Sequence, residues 1–232
     1  MSLALRDVYA ARRFVYRTLR PTPLLKHPLL ARETGLDVYV KHENHNPTSA
    51  FKVRGGLNLI GNLDADERRG VITASTGNHG QSIAMACQRE GVPCRVVVVE
   101  TAPKSKLERM NALGAKLIPV PYEIAWKALD ERSFPRVGGT FIHPFDDDDF
   151  IAGHGTMGLE ILEDAPDVAA VIASIGGGGL ITGVASAIKA LRPNVKIFGV
   201  EPETAAPASL SFEKGSPQVF PNWKPSFVDG AG

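Results

Sequence analysis

From residue 71 onward, short β-branched runs alternate with stretches whose apolar positions recur every three or four residues. VITAS (71–75) predicts a strand, and GNHGQSIAMACQREG (77–91) a helix closing on Gly91. PCRVVVVE (93–100) reads as the next strand, followed by the helix SKLERMNALGA (105–115), ending at Gly114. KLIPV (116–120) is a strand, EIAWKALDERS (123–133) a helix and TFIHPF (140–145) a strand. A helix near 152–163 leads to the strand DVAAVIASI (167–175), a GGGG turn, the helix LITGVASAIKAL (180–191) and the strand VKIFGVE (195–201). This alternation argues for βαβ units on a parallel sheet covered by helices. Ahead of it, DVYAARRFVYRTLR (7–20) is an amphipathic helix ended by the prolines of PTPLL, and DVYVKHEN (37–44) alternates like a strand. KHENHNPTSAFKVRGG (41–56) and the segment around FDDDDF (145–150) read as loops joining two α/β lobes. After residue 202 the pattern decays with no closing element, so the end at Gly232 reads as a cut rather than a finish.

Bulk properties change this picture little. A formal net charge of +1 gives no field that favours nucleic acid or an anionic membrane. No apolar run reaches membrane-spanning length, and Arg6 and Asp7 spoil a secretory signal at the amino terminus. Cys87 and Cys94 lie in no metal-ligand spacing and fit a reducing compartment, so a cytoplasmic location is expected.

Three stretches could carry chemistry. SIGGGGLITG (174–183) follows a strand and opens a helix, where free N–H groups and the helix dipole attract anions. Four glycines remove every Cβ, so main-chain amides can close around a phosphate. A dinucleotide fingerprint is the rival reading, with Glu201 ending the next strand as its acid. Its third glycine would fall on Ile181 or Thr182, which weakens it. TASTGNHGQS (73–82) places Ser75 or Thr76 at a helix cap, with Asn78 and His79 in a glycine-flanked first turn, a donor cluster suited to a carboxylate. SAFKVRGG (49–56) sets Lys52 among apolar and glycine neighbours. A desolvated lysine has a lowered pKa and a nucleophilic amine, as imine formation with an aldehyde cofactor requires.

Taken in order, KHENHNPTSAFKVRGG, TASTGNHGQSIA, AGHGTMGLEIL and SIGGGGLITGVA resemble the pyridoxal-phosphate enzymes of the tryptophan synthase β-like fold, most of all the serine/threonine dehydratase branch that includes serine racemase. The resemblance implies an α/β fold with two open, parallel or mostly parallel sheets and helices on both faces. It implies a small domain over 63–143 and a large one formed by 1–62 and 144–232. Lys52 would bind pyridoxal 5'-phosphate covalently, with Phe51 against its ring and Asn78 on the ring hydroxyl. The amides of Gly176, Gly177, Gly178, Gly179 and Leu180 would hold the phosphate, and Ser75, Thr76, Gly77, Asn78 and His79 the substrate carboxylate. The implied reaction is elimination. Lys52 removes the Cα proton of a β-hydroxy amino acid such as L-threonine or L-serine, the hydroxyl leaves, and the product hydrolyses to a 2-oxo acid and ammonia. A homodimer is implied as well.

Several positions depart from the family pattern. Thr76 stands where racemizing relatives place a serine that acts as the second acid–base. Threonine keeps the hydroxyl but restricts χ1, which favours elimination over racemization or β-replacement. Glu201 and Ala205 match a divalent-cation site, but Pro207 replaces its aspartate, so no metal is expected. Relatives continue with further strands and a partner for the pyridine nitrogen, a role no residue here can take. A truncated, non-catalytic module that binds the cofactor or an amino acid is therefore the other alternative.

Overall fold

The computed structural model describes residues 3–230 apart from Arg136, Ser226 and Asp229; the extreme ends of the expected large domain lie outside the described residues. Helix α1 (Leu5–Val15) buries Val8, Ala11 and Val15 at helical spacing, and the Asp7 carboxylate accepts from the Ala4 N–H at its start. It stops at Val15, short of the prolines expected to end it, because the chain turns so that Leu19 joins the core. Strands β1 (Leu24–Lys26) and β2 (Tyr39–Lys41) form an antiparallel pair around α2 (Pro28–Thr34), which the sequence pattern did not show. The strand expected over 37–44 is therefore only three residues long, and Glu43–His45 is a single 3-10 turn.

The larger correction concerns 41–56, read as a loop. Helix α3 (Lys52–Asn62) begins within it, and Lys52 is its first residue. The two glycines that suggested a loop are points of close helix packing. A Cβ on Gly55 would lie 2.7 Å from both the Phe150 carbonyl and the His154 ring, and one on Gly56 would strike the Ser82 hydroxyl.

Strands β3 (Val71–Ala74), β4 (Cys94–Val99), β5 (Lys116–Val120) and β6 (Thr140–Phe141) form a parallel sheet in the order β5-β4-β3-β6. Helices α4 (Asn78–Glu90), α5 (Lys104–Ala112) and α6 (Tyr122–Asp130) connect them. Alternate residues face two cores: Val71, Val96 and Val98 pack with Ile83 and Met110, while Ile72, Ala74 and Val97 pack with Ala125 and Ala128. Both faces are thus buried, as parallel sheets require. Strand β6 is shorter than the predicted 140–145 because the His143 ring accepts from the Asp146 N–H at 3.0 Å and turns the chain.

FDDDDF is likewise a helix start rather than a loop. Asp147 caps α7 (Asp148–Asp164) by accepting from the Phe150 N–H at 3.1 Å, and Asp148 and Asp149 lie in the first turn, where the dipole favours anions. Strands β7 (Ala170–Ser174) and β8 (Lys196–Val200) pair in parallel on either side of α8 (Gly179–Leu191) in sequence. Their inner face, Val171 and Ile197, packs on Met157, Ile161, Val184 and Ile188. On the outer face Ile172 lies opposite Phe198, and the two are 68% and 50% exposed. After residue 202, where no element was expected, α9 (Pro207–Lys214) forms. Glu201 holds it by accepting from the N–H groups of Ala208 and Ser209 at 3.0 and 2.8 Å. Among the described residues no helix is long and apolar enough to cross a membrane.

Candidate active site

The Lys52 amine donates to the Pro144 carbonyl at 2.7 Å and lies 5.6 Å from the ring centres of Phe51 and Phe150. Burial lowers its pKa from 10.5 to about 8, since the ammonium form loses its hydration there. Ser82 on α4 donates to the Lys52 carbonyl at 2.6 Å, so the backbone of this turn is held as well as its side chain.

Three histidines surround the amine. Burial above all, and then the Lys52 charge, push His79 and His154 well below the ordinary value of 6.5. His143 is lowered to about 4 by burial, Arg132 and Lys52. The sequence pattern gave His154 no role. It lies between Phe51 and Phe150, with ring centres 4.9 and 4.7 Å away, and fixes the side of Phe51 that faces the protein.

The segment that receives the Lys52 amine also underlies the glycine turn. A Cβ on Gly177 would enter the Phe145 ring, and one on Gly179 would lie 2.9 Å from the Phe145 carbonyl. Gly178 takes φ 85° as the cap of α8, and no side chain satisfies that helix start. Gly176 enters the turn directly after β7, and Gly179 and Leu180 open the helix, where N–H groups lack intrahelical acceptors. A turn without Cβ atoms, an uncapped helix start and a buried lysine on the adjoining segment are the donor set that a phosphate-bearing aldehyde needs. These residues fit the cofactor expected from the sequence.

At the start of α4 it is Ser75, not Thr76, that ties the turn. Its hydroxyl accepts from the N–H groups of Gly77 and Gly80 at 3.2 and 3.1 Å. Among the described residues no hydrogen bond engages the Thr76 hydroxyl or the Asn78 amide, and Asn78 is exposed at the first helical position. His79 faces the protein rather than the helix end. Its side chain turns inward, with Nε2 2.8 Å from the Thr73 hydroxyl and the ring edge-on to Phe150, so only its main-chain N–H is placed to serve a ligand over the helix end. The Thr73 hydroxyl itself donates to the Ile142 carbonyl at 2.7 Å, which makes it the acceptor from His79 and leaves Nδ1 as the unprotonated nitrogen. Glu201, the acid of the rival dinucleotide reading and of the unmatched cation site, is committed to the start of α9.

A further buried cluster went unread in the sequence. Arg54, fully buried, reaches Glu43 with Nε and Nη2 at 2.8 Å each, and Glu160 with Nη1 at 2.5 Å and Nη2 at 2.9 Å. Thr156 and Thr22 complete its bonds, and Lys41 and Tyr16 reach Glu160 at 2.8 and 2.7 Å. Burial alone would raise the Glu160 carboxyl, but the bond and charge of Arg54, with Lys41 and Tyr16, hold it below the usual range. A lone arginine beside two glycines gives no signal of this, since its partners lie 11 and 106 residues away.

The family described as "Pyridoxal-phosphate dependent enzyme" matches residues 15–232. The chain is 40% identical over 98% of its length to the L-threonine ammonia-lyase of Thermotoga maritima, and spans 57% of that protein. It spans 50% of a second L-threonine ammonia-lyase, from Geobacter sulfurreducens, so it covers about half the length of these curated relatives. Among solved structures it is similar to the processed form of threonine deaminase isoform 2 from Solanum lycopersicum, at 38% identity and a TM-score of 0.90 over 98% of this chain and 66% of that one. It is similar also to maize serine racemase, at 31% identity and a TM-score of 0.88 over 97% and 69%. Sequence, backbone and the lysine–glycine geometry converge: the chain belongs to the pyridoxal-phosphate-dependent enzyme family and has the tryptophan synthase β-like fold.

Proposed function

We propose that this chain carries the cofactor lysine and carboxylate site of an ammonia-lyase that converts L-threonine or L-serine to a 2-oxo acid and ammonia. The observation that carries the reading is Lys52, a buried amine of pKa about 8. It is held at Pro144, next to the phenylalanine on which the tetraglycine turn rests. Threonine is favoured because the relatives named above act on it. When bound, pyridoxal 5'-phosphate supplies an electron sink for the pair left at Cα. Lys52 would hold it, with Phe51 along its ring, Asn78 toward its hydroxyl, and the amides of Gly176, Gly177, Gly178, Gly179 and Leu180 on its phosphate.

This chain's own groups then do three things. The neutral Lys52 amine takes the Cα proton as general base. The Thr76–His79 turn, shaped by Ser75, offers N–H groups, the Thr76 hydroxyl and the Asn78 amide to the substrate carboxylate. The apolar surround of Phe51, Phe150 and Phe145 keeps water from the amine. Turnover of L-threonine to 2-oxobutanoate tests the reading, and Lys52→Ala is expected to lower it by roughly 10³-fold or more. A folded chain that binds the cofactor or an amino acid but turns over neither substrate would leave the non-catalytic module instead.

Racemization is the second reading, favoured by the unengaged Thr76 hydroxyl and the likeness to maize serine racemase. Chiral analysis of serine recovered after incubation separates it from elimination. The small domain over 63–143 is part of the same proposal, supported by a four-stranded sheet drawn wholly from residues 71–141. So are a cytoplasmic homodimer, which light scattering and cell fractionation would test.

A further inference from the structure

The first turn of α3 is gripped from three sides. Toward α4, Gly56 lies flush on Ser82, whose hydroxyl also donates to the Lys52 carbonyl. Toward α7, Gly55 and Gly153 let the two backbones meet: a Cβ on Gly153 would strike the Arg54 carbonyl and lie 2.7 Å from the Gly55 Cα. The third grip is the Arg54 fork. Two residues apart on a helix are about 200° apart around its axis, so Arg54 leaves the turn on the side away from Lys52. On the amino-terminal side Phe51, at the cap position, makes no side-chain cap bond and is held by packing on His154.

We propose that Arg54 is a positioning residue for Lys52: its guanidinium, clamped between Glu43 and Glu160, sets the rotation of the first turn of α3 and so the direction in which the Lys52 amine leaves it. This rests on the reading of Lys52 as the cofactor lysine. The clamp is built from four separate segments: Thr22 before β1, Lys41 and Glu43 in and after β2, and Thr156 and Glu160 on α7, with Tyr16 bonded to Glu160 from the end of α1. Its two cations (Arg54, Lys41) face two carboxylates (Glu43, Glu160), with the half-exposed Asp164 reaching Lys41 at 3.4 Å, and burial rather than any of these charges is what lowers the pKa of the Lys52 amine. The groups that face Lys52 itself are His79 on α4, His154 on α7 and His143 after β6. The clamp therefore acts by geometry. A turn free to rotate would bring Lys52 out of its apolar surround and off Pro144.

The test follows covalent capture of Lys52 rather than turnover. The full chain is incubated with pyridoxal 5'-phosphate at graded pH and treated with borohydride, and pyridoxyl-modified Lys52 peptide is measured by mass alongside the melting temperature. In the wild type, capture is expected to rise with pH to a midpoint near 8. In Arg54→Met the midpoint moves up by about one unit, a tenfold slower capture near neutral pH. Arg54→Lys, which keeps the charge but not the fork, falls between the two, and Glu43→Gln is slowed about twofold to threefold, on the order of a few tenths of a unit. If Arg54→Met does not fold, the two milder variants decide. Folded variants with lowered melting temperature but unchanged midpoint and capture rate would show a purely structural role and overturn the proposal. A wild type in which Lys52 is captured no faster than surface lysines would instead refute the functional reading, and the clamp would fall with it.

Discussion

Lys52 sits among Phe51, Phe150 and the Pro144 carbonyl, and no carboxylate among the described residues pairs with it. Its charged form is therefore disfavoured in the fold, while the unfolded chain protonates it with the ordinary value of 10.5. A group whose folded pKa is depressed opposes folding throughout the range below its unfolded value. Lys52→Met is accordingly expected to abolish cofactor capture yet stabilise the cofactor-free chain by roughly 2 kcal/mol at neutral pH, as read by urea denaturation. A destabilised mutant would mean that the Pro144 bond outweighs the desolvation. In the sequence this lysine drew its weight from the company of the glycine turn and the 75–79 donor cluster rather than from its neighbours alone. Its helical position was not, because Gly55 and Gly56 look like chain breakers until Ser82, Phe150 and His154 are known to press against them. The inward turn of His79 was hidden for a related reason. Its first-turn position is visible in sequence, but Thr73 and Phe150, which draw the ring inward, are not.

At the level of elements, the glycines make separable predictions. Gly55→Ala places a methyl 2.7 Å from the Phe150 carbonyl, a backbone atom that cannot step aside, and is expected to lower stability by about 2 kcal/mol with cofactor capture impaired in step. Gly177→Ala drives a methyl into the Phe145 ring from the turn between β7 and α8. It is expected to weaken cofactor binding at least about tenfold while costing the fold less than Gly55→Ala, because only the turn must move. Equilibrium titration of the visible cofactor band and a urea curve on each variant check the contrast. The βαβ elements from β3 to β8 were legible because their period and their punctuation agree: Gly91 and Gly114 end α4 and α5 where the hydrophobic pattern stops. Helices α2 and α9 were not, since each is short, opens on a proline and buries no residue fully, so its pattern carries no core stripe. The acids of FDDDDF were visible as acids; that one of them caps a helix depends on the turn made by His143.

For the molecule as a whole, His79 and His154 are buried and neutral, with folded values well below 6.5. Such groups leave stability intact above their unfolded value and erode it as pH falls, because below about 6.5 the unfolded chain binds protons that the folded chain refuses. Stability is expected to stay level between about pH 6.5 and 8 and to fall below pH 6.5 with a slope of about 1.4 kcal/mol per pH unit for each of these two histidines, with a smaller share from the half-exposed His143, as read by urea curves across pH. Replacing His154 by phenylalanine is expected to remove its share, somewhat less than half of that slope. The parallel α/β plan was legible in the alternation of strands and helices, and the family in four motifs that arrive in order. The clamp that joins residues 16, 22, 41, 43, 54, 156 and 160 was not, since only folding brings those positions together.

Ile172 and Phe198, side by side on the outer face of the β7–β8 pair, give the chain an adhesive side from which any other oily surface will displace water. Prepared as these 232 residues, the protein is expected to leave a sizing column progressively earlier as its concentration is raised, and Ile172→Lys combined with Phe198→Lys to hold the elution constant.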